Sequence, residues 1–227
     1  MVSAIIVAAG KGRRFGFKVS KAVLKLNSRP VIAYSLAVFN AHPQVKEIIV
    51  VGNSGNIPAL RNIIKREKIA KHIKIVPGGK ERRDSVAKGL QAVNPKADLI
   101  LIHDAARPFI TKSLVSSVIK GTQKMGAAIA AVPVKATIKK VQSGLVVEKT
   151  LDRKSLWEIQ TPQVFKKGLI LKAYKKFKRL PATDDAMLVE RLGAKVNVVL
   201  GSYSNIKITT PEDFIIAKGI AGLWKTA

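Results

Sequence analysis

Short apolar runs alternate along the chain with longer stretches in which apolar residues recur every three to four positions. The short runs, 4–8, 47–51, 73–76, 99–102, 127–132 and 196–200, are rich in Val, Ile and Ala and carry few polar positions. Continuous apolar runs of that length predict strands covered on both faces. The intervening segments 31–40, 57–68, 84–93, 112–125, 168–177, 184–192 and 211–223 have helical period. Thr111, Thr183 followed by two Asp, and Thr210 ahead of Pro211 and Glu212 supply helix-start chemistry. Strands alternating with helices predict an α/β domain, a mostly parallel sheet with helices on both faces.

One stretch breaks the alternation. Residues 134–153 read as two short polar strands, 137–141 and 145–149, turning at Ser143-Gly144. A lone hairpin is marginal in water, so this arm is expected to pack on something, a second subunit being the natural choice. No repeat, low-complexity tract or linker divides the chain, and 1–227 is expected to be one domain with 134–153 as its β-arm.

Composition narrows the function classes. With 47% hydrophobic residues the chain can bury an ordinary core, which sets it apart from a basic disordered tail. No cysteine means no disulfide, thiolate metal site or thiol nucleophile, and the three histidines lie far apart. The apolar start lacks a preceding positive charge and a cleavage pattern, and no run approaches the roughly 20 apolar residues of a membrane span. A soluble, cytoplasmic protein with no membrane partner is expected.

The net charge is +27, from 41 Lys and Arg against 14 Asp and Glu. Nucleic acid is the reflex partner for such a chain. The basic residues are spread evenly, however, at 8, 11, 8 and 11 per successive fifty and 3 in the last 27, and aromatics are only 5%. There is no arm, stripe or stacking platform. A generally basic surface is the better reading, and a basic α/β nucleic-acid-binding domain is kept as the rival from another class. The local exception is residues 1–46, with eight Lys and Arg and no carboxylate before Glu47.

That exception contains a glycine segment directly after the first strand: Ala8-Ala9-Gly10-Lys11-Gly12-Arg13-Arg14-Phe15-Gly16, with Lys18 and Lys21 beyond. Glycines there mark close approach of backbone to phosphate. The dinucleotide pattern fails at Phe15 and for want of an acid about 20 residues on. The P-loop spacing fails at Gly16. What remains is a set of backbone donors with Arg14 and Lys21 placed to reach over them, suited to a triphosphate. Taken alone, it fits a tight turn flanked by solvated charges equally well.

It does not stand alone. His103-Asp104-Ala105-Ala106-Arg107-Pro108 follows a strand, where open α/β sheets place ligands. Gly78-Gly79-Lys80-Glu81-Arg82 leads to Asp84-Ser85-Val86 at another strand end, and Thr161-Pro162-Gln163, Thr183-Asp184 and Asn205-Ile206-Lys207 complete the order. Together these resemble the 2-C-methyl-D-erythritol 4-phosphate cytidylyltransferase family, over essentially the whole chain.

The resemblance implies a Rossmann-like nucleotidyltransferase fold with a protruding β-arm. It implies a Mg²⁺-dependent transfer of CMP from CTP to methylerythritol phosphate, releasing pyrophosphate in non-mevalonate isoprenoid synthesis, by a homodimer joined through the arm. Positioning and electrostatics suffice for that chemistry, so the missing Cys and scarce His cost it nothing. By matching positions, Arg14 and Lys21 would stabilise the pentacoordinate phosphorus and the departing pyrophosphate. Arg153 and Lys207 would hold the alditol phosphate, Arg153 coming from the partner's arm. Ala8, Ala9, Gly10, Gly12, Gly78, Gly79, Arg82 and Ser85 would surround the nucleotide. Asp104, Ala105 and Arg107 would meet ribose, alditol or metal, with Asp104 as the metal carboxylate. Thr137, Thr161 and Thr183 would contact alditol and phosphate.

Blander roles exist for several of these: Asp104 as a turn cap, Arg153 as a surface ion-pair partner of Asp152 worth under about 1 kcal/mol, Lys207 as a solvated strand lysine, Thr183 as an N-cap. The chain departs from the family pattern at Ser20, where a proline usually precedes the lysine, at Ala136, where many members have Asp, and at Lys80, where some carry an acid. The nearest rival reaction is ribitol 5-phosphate cytidylyl transfer. Ala8-Ala9-Gly10 and Ala106 favour the methylerythritol enzyme.

Overall fold

The computed structural model describes residues 1–10, 20–178 and 180–224. In chain order the strands are β1 (Val2–Val7), β2 (Lys25–Leu26), β3 (Arg29–Pro30), β4 (Val45–Gly52), β5 (His72–Pro77), β6 (Leu99–Asp104), β7 (Ala127–Pro133), β8 (Lys139–Val141), β9 (Val147–Thr150), β10 (Trp157–Lys166) and β11 (Asn197–Leu200). The helices are α1 (Val31–Ala41), α2 (Ile57–Arg66), α3 (Arg82–Gln91), α4 (Lys112–Met125), α5 (Lys167–Lys176), α6 (Ala186–Glu190) and α7 (Pro211–Leu223).

Seven strands form one sheet in the order β11-β7-β10-β6-β1-β4-β5. β1 pairs in parallel with β4 and β6, β4 with β5, and β7 with β11. Alternation along each strand feeds two cores. Ala4, Ile6, Ile48, Val50 and Leu101 face α1, α2 and α4, while Ile5, Ile49, Val51, Ile100 and Ile102 face α3, α5 and α6. The expectation of a mostly parallel sheet with helices on both faces is met, except that the edge strand β11 is open on one face, where Val198 and Leu200 are exposed.

The chain runs outward from β1 through α1 and α2 to β5, then returns through α3, on the opposite face, to β6. Successive crossovers therefore diverge on either side of β1, and the crevice opens at the carboxyl ends of β1 and β6, where Val7 is in register with Asp104.

The pattern did not reveal β10. It lies between β6 and β7, antiparallel to both. Its middle, Gln160-Thr161-Pro162-Gln163, is polar and holds a proline, which argues against an interior strand. The sheet accommodates it by breaking register between Ile159 and Gln163, and β6 pairs only from Gln163 onward. The Thr161-Pro162 peptide is cis. Beyond the break the strand is conventional, Val164 entering one core and Phe165 the other.

Other expectations shift by a turn or less. The fifth to seventh helices begin at Lys167, Ala186 and Pro211, and the predicted 184–192 helix shrinks to α6. Thr183 is not its cap: the N-cap residue is Asp185, and Asp184 Oδ1 accepts from Met187 N at 3.0 Å. Thr111 and Thr210 do cap their helices.

The arm is β8 paired with β9, a separate two-stranded ribbon. Gly144 and Leu145 take positive φ at its tip, and Leu145 is 91% exposed, with Val141, Val146 and Val147 also open.

Candidate active site

At the end of β1, Ala8 N donates to Val51 O at 2.8 Å, and Gly78 N to Gly52 O at 2.6 Å, so the ends of β1, β4 and β5 are stitched together. Gly78 has to be glycine: a Cβ there would lie 2.5 Å from Ala9 Cβ and 2.7 Å from Ser85 Oγ. Ser85 Oγ in turn accepts from Gly79 N at 3.1 Å, and Glu81 and Asp84 close a capping box at the start of α3. Ala8, Ala9, Gly78, Gly79 and Ser85, expected around a nucleotide, are thus brought together. Gly12 and Arg14 lie outside the described residues.

Beside this wall opens a cleft of about 430 Å³ lined by residues of β6, β10, α3, α6 and the 205–209 segment. Asp104 is its electrostatic centre. Arg82 Nε binds Asp104 Oδ1 at 2.9 Å, and Lys207 Nζ lies 2.6 Å from Oδ2. Burial works against ionisation of Asp104, but Arg82 and Lys207 outweigh it and hold the carboxyl well below the usual range. Arg82 Nη2 reaches a second carboxylate, the fully buried Asp185, at 2.8 Å. The Tyr174 hydroxyl donates to the other oxygen of Asp185 at 2.5 Å. Burial, then Asp185, raises the Tyr174 pKa, keeping the phenol protonated. Arg82, clamped between two acids, has its head fixed in place.

The turn after β6 is built around a neutral histidine. Thr161 Oγ1 accepts from Asp104 N at 3.1 Å and meets His103 Nδ1 at 3.0 Å, and His103 Nε2 lies 3.0 Å from Arg107 O. A carbonyl only accepts, so Nε2 carries the hydrogen and Nδ1 receives the threonine hydroxyl. Burial pushes the His103 pKa down to about 4. Arg107 is itself buried and donates to Asn205 O at 2.7 Å and Ile159 O at 3.1 Å. Ile208 N donates to Ala106 O at 2.9 Å, which strings the 205–209 segment along this turn and brings Lys207 to Asp104. Arg107 Nε and Asn205 Oδ1 are buried without a hydrogen-bond partner among the described residues.

Of the remaining expected site residues, Thr161, Thr183, Arg107, Asp104, Lys207 and Arg82 line the cleft. Ala105 is buried beneath it, its N–H bound to Val7 O at 3.1 Å. Lys21, in a 3-10 turn, directs Nζ to Thr209 O at 2.9 Å. Thr137 and Arg153 do not line the cleft within one chain: Thr137 is exposed, and Arg153 Nη1 donates to Lys135 O at 2.5 Å. Tyr174, Asp185, Gln160 and Glu190 received no role from the sequence. Gln163 Nε2 binds Asp184 Oδ2 at 2.8 Å and its Oε1 accepts from Ala186 N at 3.2 Å, docking α6 onto β10. The adjacent acids Asp184-Asp185 in a chain so poor in carboxylate were the available signal.

Among the described residues no group of three or more His, Cys, Asp or Glu could hold a metal. Mg²⁺ held mainly by substrate phosphates needs only one or two carboxylates; Asp104, the acid expected for that role, has Arg82 on one oxygen and Lys207 on the other.

The model of the family described as 2-C-methyl-D-erythritol 4-phosphate cytidylyltransferase matches residues 2–222. The chain belongs to this family. An enzyme of that name from Alkaliphilus metalliredigens is 47% identical over 223 residues, covering 96% of this chain and 92% of its own. The crystal structure of 4-diphosphocytidyl-2C-methyl-D-erythritol synthase from Anaerococcus prevotii superposes with a TM-score of 0.86 at 35% identity, covering 97% and 98% of the two chains. The cytidylyltransferase from Thermus thermophilus gives 0.80 at 32%, covering 98% and 100%. The protein is therefore a cytidylyltransferase with the Rossmann-like nucleotidyltransferase fold. The reaction expected from the sequence, CMP transfer from CTP to methylerythritol phosphate in isoprenoid biosynthesis, is this family's. Membership of this family takes the place of the rival function, a nucleic-acid-binding domain. No helix among the described residues is long and apolar enough to cross a membrane.

Proposed function

We propose that the methylerythritol phosphate lies in the cleft against Asp104, Arg107, Thr161, Thr183 and Lys207, and that CTP lies across Ala8, Ala9, Gly10, Gly12, Gly78, Gly79, Ser85 and Ala105. The observation that carries this reading is the Lys207–Asp104–Arg82 array at the mouth between the two regions. An oxygen of the alditol phosphate attacks the α-phosphorus of CTP in line, the new P–O bond forming as the bond to the β-phosphate breaks and pyrophosphate departs. The attacking oxygen is already anionic, so no base is needed.

Lys207 brings the incoming phosphate toward Asp104, whose charge it now neutralises. Arg14 and Lys21 take up charge as it accumulates on the phosphoryl and leaving oxygens. Arg82, committed to Asp104 and Asp185, contributes by fixing the carboxylate. Mg²⁺ bound with CTP would neutralise further phosphate charge, and Asp104 would be open to it as a protein carboxylate once Lys207 has turned to the alditol phosphate.

The same reading makes residues 1–227 one catalytic domain working as a cytoplasmic homodimer. The 134–153 arm, with its exposed Val141, Leu145, Val146 and Val147, suits a partner's surface, and a reciprocal arm would deliver Thr137 and Arg153 to the cleft they do not reach in their own chain. Pyrophosphate release from CTP and Mg²⁺ that depends on methylerythritol phosphate tests the reading; no release would contradict it.

A further inference from the structure

Asn56 stands at the N-cap of α2 and does not cap it. Its side chain accepts nothing from the first turn, where Pro58 removes one donor, although an asparagine there ordinarily gives its oxygen to an orphan N–H. The side chain is 3% exposed and wholly committed elsewhere. Its oxygen accepts from Asn53 N at 2.8 Å. Its Nδ2 donates to Ala8 O at 2.8 Å and to Ser20 Oγ at 2.9 Å. Asn53 reinforces the arrangement: its Nδ2 donates to Ala9 O at 3.0 Å and its Oδ1 accepts from Asn56 N at 3.1 Å.

Ala8 and Ser20 stand on either side of the glycine segment, and one amide nitrogen holds both. Ser20 immediately precedes Lys21, whose ammonium reaches Thr209 O at 2.9 Å in the segment that carries Lys207. The 53–56 turn therefore joins the nucleotide wall to the Lys21 side of the site. The serine hydroxyl matters for this: an alanine or proline at position 20 would offer no acceptor, and the buried Asn56 N–H would lose a partner.

We infer that Asn56 and Ser20 form a latch, a positioning device that fixes Lys21 relative to the end of β1. The latch touches no reacting atom. It acts on the proposed transfer through Lys21, and it rests on that reading for its kinetic readout.

The test uses the full-length protein with CTP, Mg²⁺ and methylerythritol phosphate. Ser20→Ala lowers kcat about three- to tenfold, the range of one net hydrogen bond, with KM for methylerythritol phosphate little changed. Ser20→Thr, which keeps the hydroxyl, restores kcat. In an Asn56→Ala background Ser20→Ala has no further effect, as two halves of one contact require. Amide hydrogen exchange over residues 20–24 reads the latch without catalysis: it accelerates in Ser20→Ala and stays at the wild-type rate in Ser20→Thr. Wild-type kcat together with unchanged exchange in Ser20→Ala overturns the latch, as do additive effects in the double variant. Should Asn56→Ala fail to fold, the two Ser20 variants decide alone. An inactive wild-type protein would sink the reaction reading, and the exchange rates would still judge the latch.

Discussion

The Lys207 ammonium lies 2.6 Å from Asp104 Oδ2, while Arg82 holds the other oxygen of the same carboxylate. One acid is thus shared by a fixed cation, clamped by Asp185, and one at the tip of a half-exposed lysine. The more exposed partner is the one suited to meet a phosphate. Lys207→Met is expected to lower kcat/KM for methylerythritol phosphate by about 100-fold, the scale of losing one transition-state donor, with a smaller change in KM for CTP. The same scale applies to turnover of Arg14→Ala and Lys21→Ala. Steady-state kinetics check this, and near-normal values would take the residue concerned out of the transfer.

Arg82 serves stability as well as the site. Arg82→Leu leaves the buried Asp185 without its cation and Asp104 with Lys207 alone, and removing one member of a buried pair costs about 3–5 kcal/mol. Urea unfolding should show a loss of that order. A loss under about 1 kcal/mol would mean that the two acids are satisfied by other groups.

Acid should destabilise the fold through His103. Its folded pKa, about 4, lies below the unfolded value near 6.5, so its contribution is fully present above 6.5 and is lost as pH falls from there through about 4. The slope is about 1.4 kcal/mol per pH unit in that window. Asp104 and the hydrogen bond to Arg107 O raise this pKa whereas the charges of Arg107 and Arg82 lower it, and the depressed His42, buried near Lys71 and Lys112, adds a parallel loss. The diagnostic is therefore the difference: stability of His103→Gln should fall less steeply between pH 6.5 and about 4 than that of wild type. Identical slopes would place the histidine's charge elsewhere.

For the arm, light scattering should give the mass of a dimer. Replacing residues 139–150 by a short Gly-Ser turn should give a monomer, with turnover reduced at least about tenfold, the loss of one charged phosphate contact. A fully active monomer would exclude a partner-supplied Arg153.

Much of this was legible in the sequence because it rests on local pattern. Continuous apolar runs placed the core strands within about two residues of their observed limits, since burial on both faces leaves no other use for them. Gly78 and the residues around Asp104 were legible because close approach and strand-end chemistry leave a short-range mark. What escaped is long-range. β10 hides its polar centre in a register break that only the neighbouring strands create. The Arg82–Asp185–Tyr174 chain joins α3 to α5 and α6, and no local periodicity encodes it. Ser20, which in the sequence reads only as a departure from the family's usual proline, is an acceptor for Asn56.

The proposed site transfers cytidylate to methylerythritol phosphate in a cleft where Arg82, Arg107 and Lys207 stand among Asp104, Asp184 and Glu190. Pyrophosphate release with CTP and Mg²⁺, measured with methylerythritol phosphate, ribitol 5-phosphate or a sugar 1-phosphate in turn, tests it most directly. The expected result is rapid release with methylerythritol phosphate and little with the other two. Silence with methylerythritol phosphate, or equal release with ribitol 5-phosphate, would contradict it.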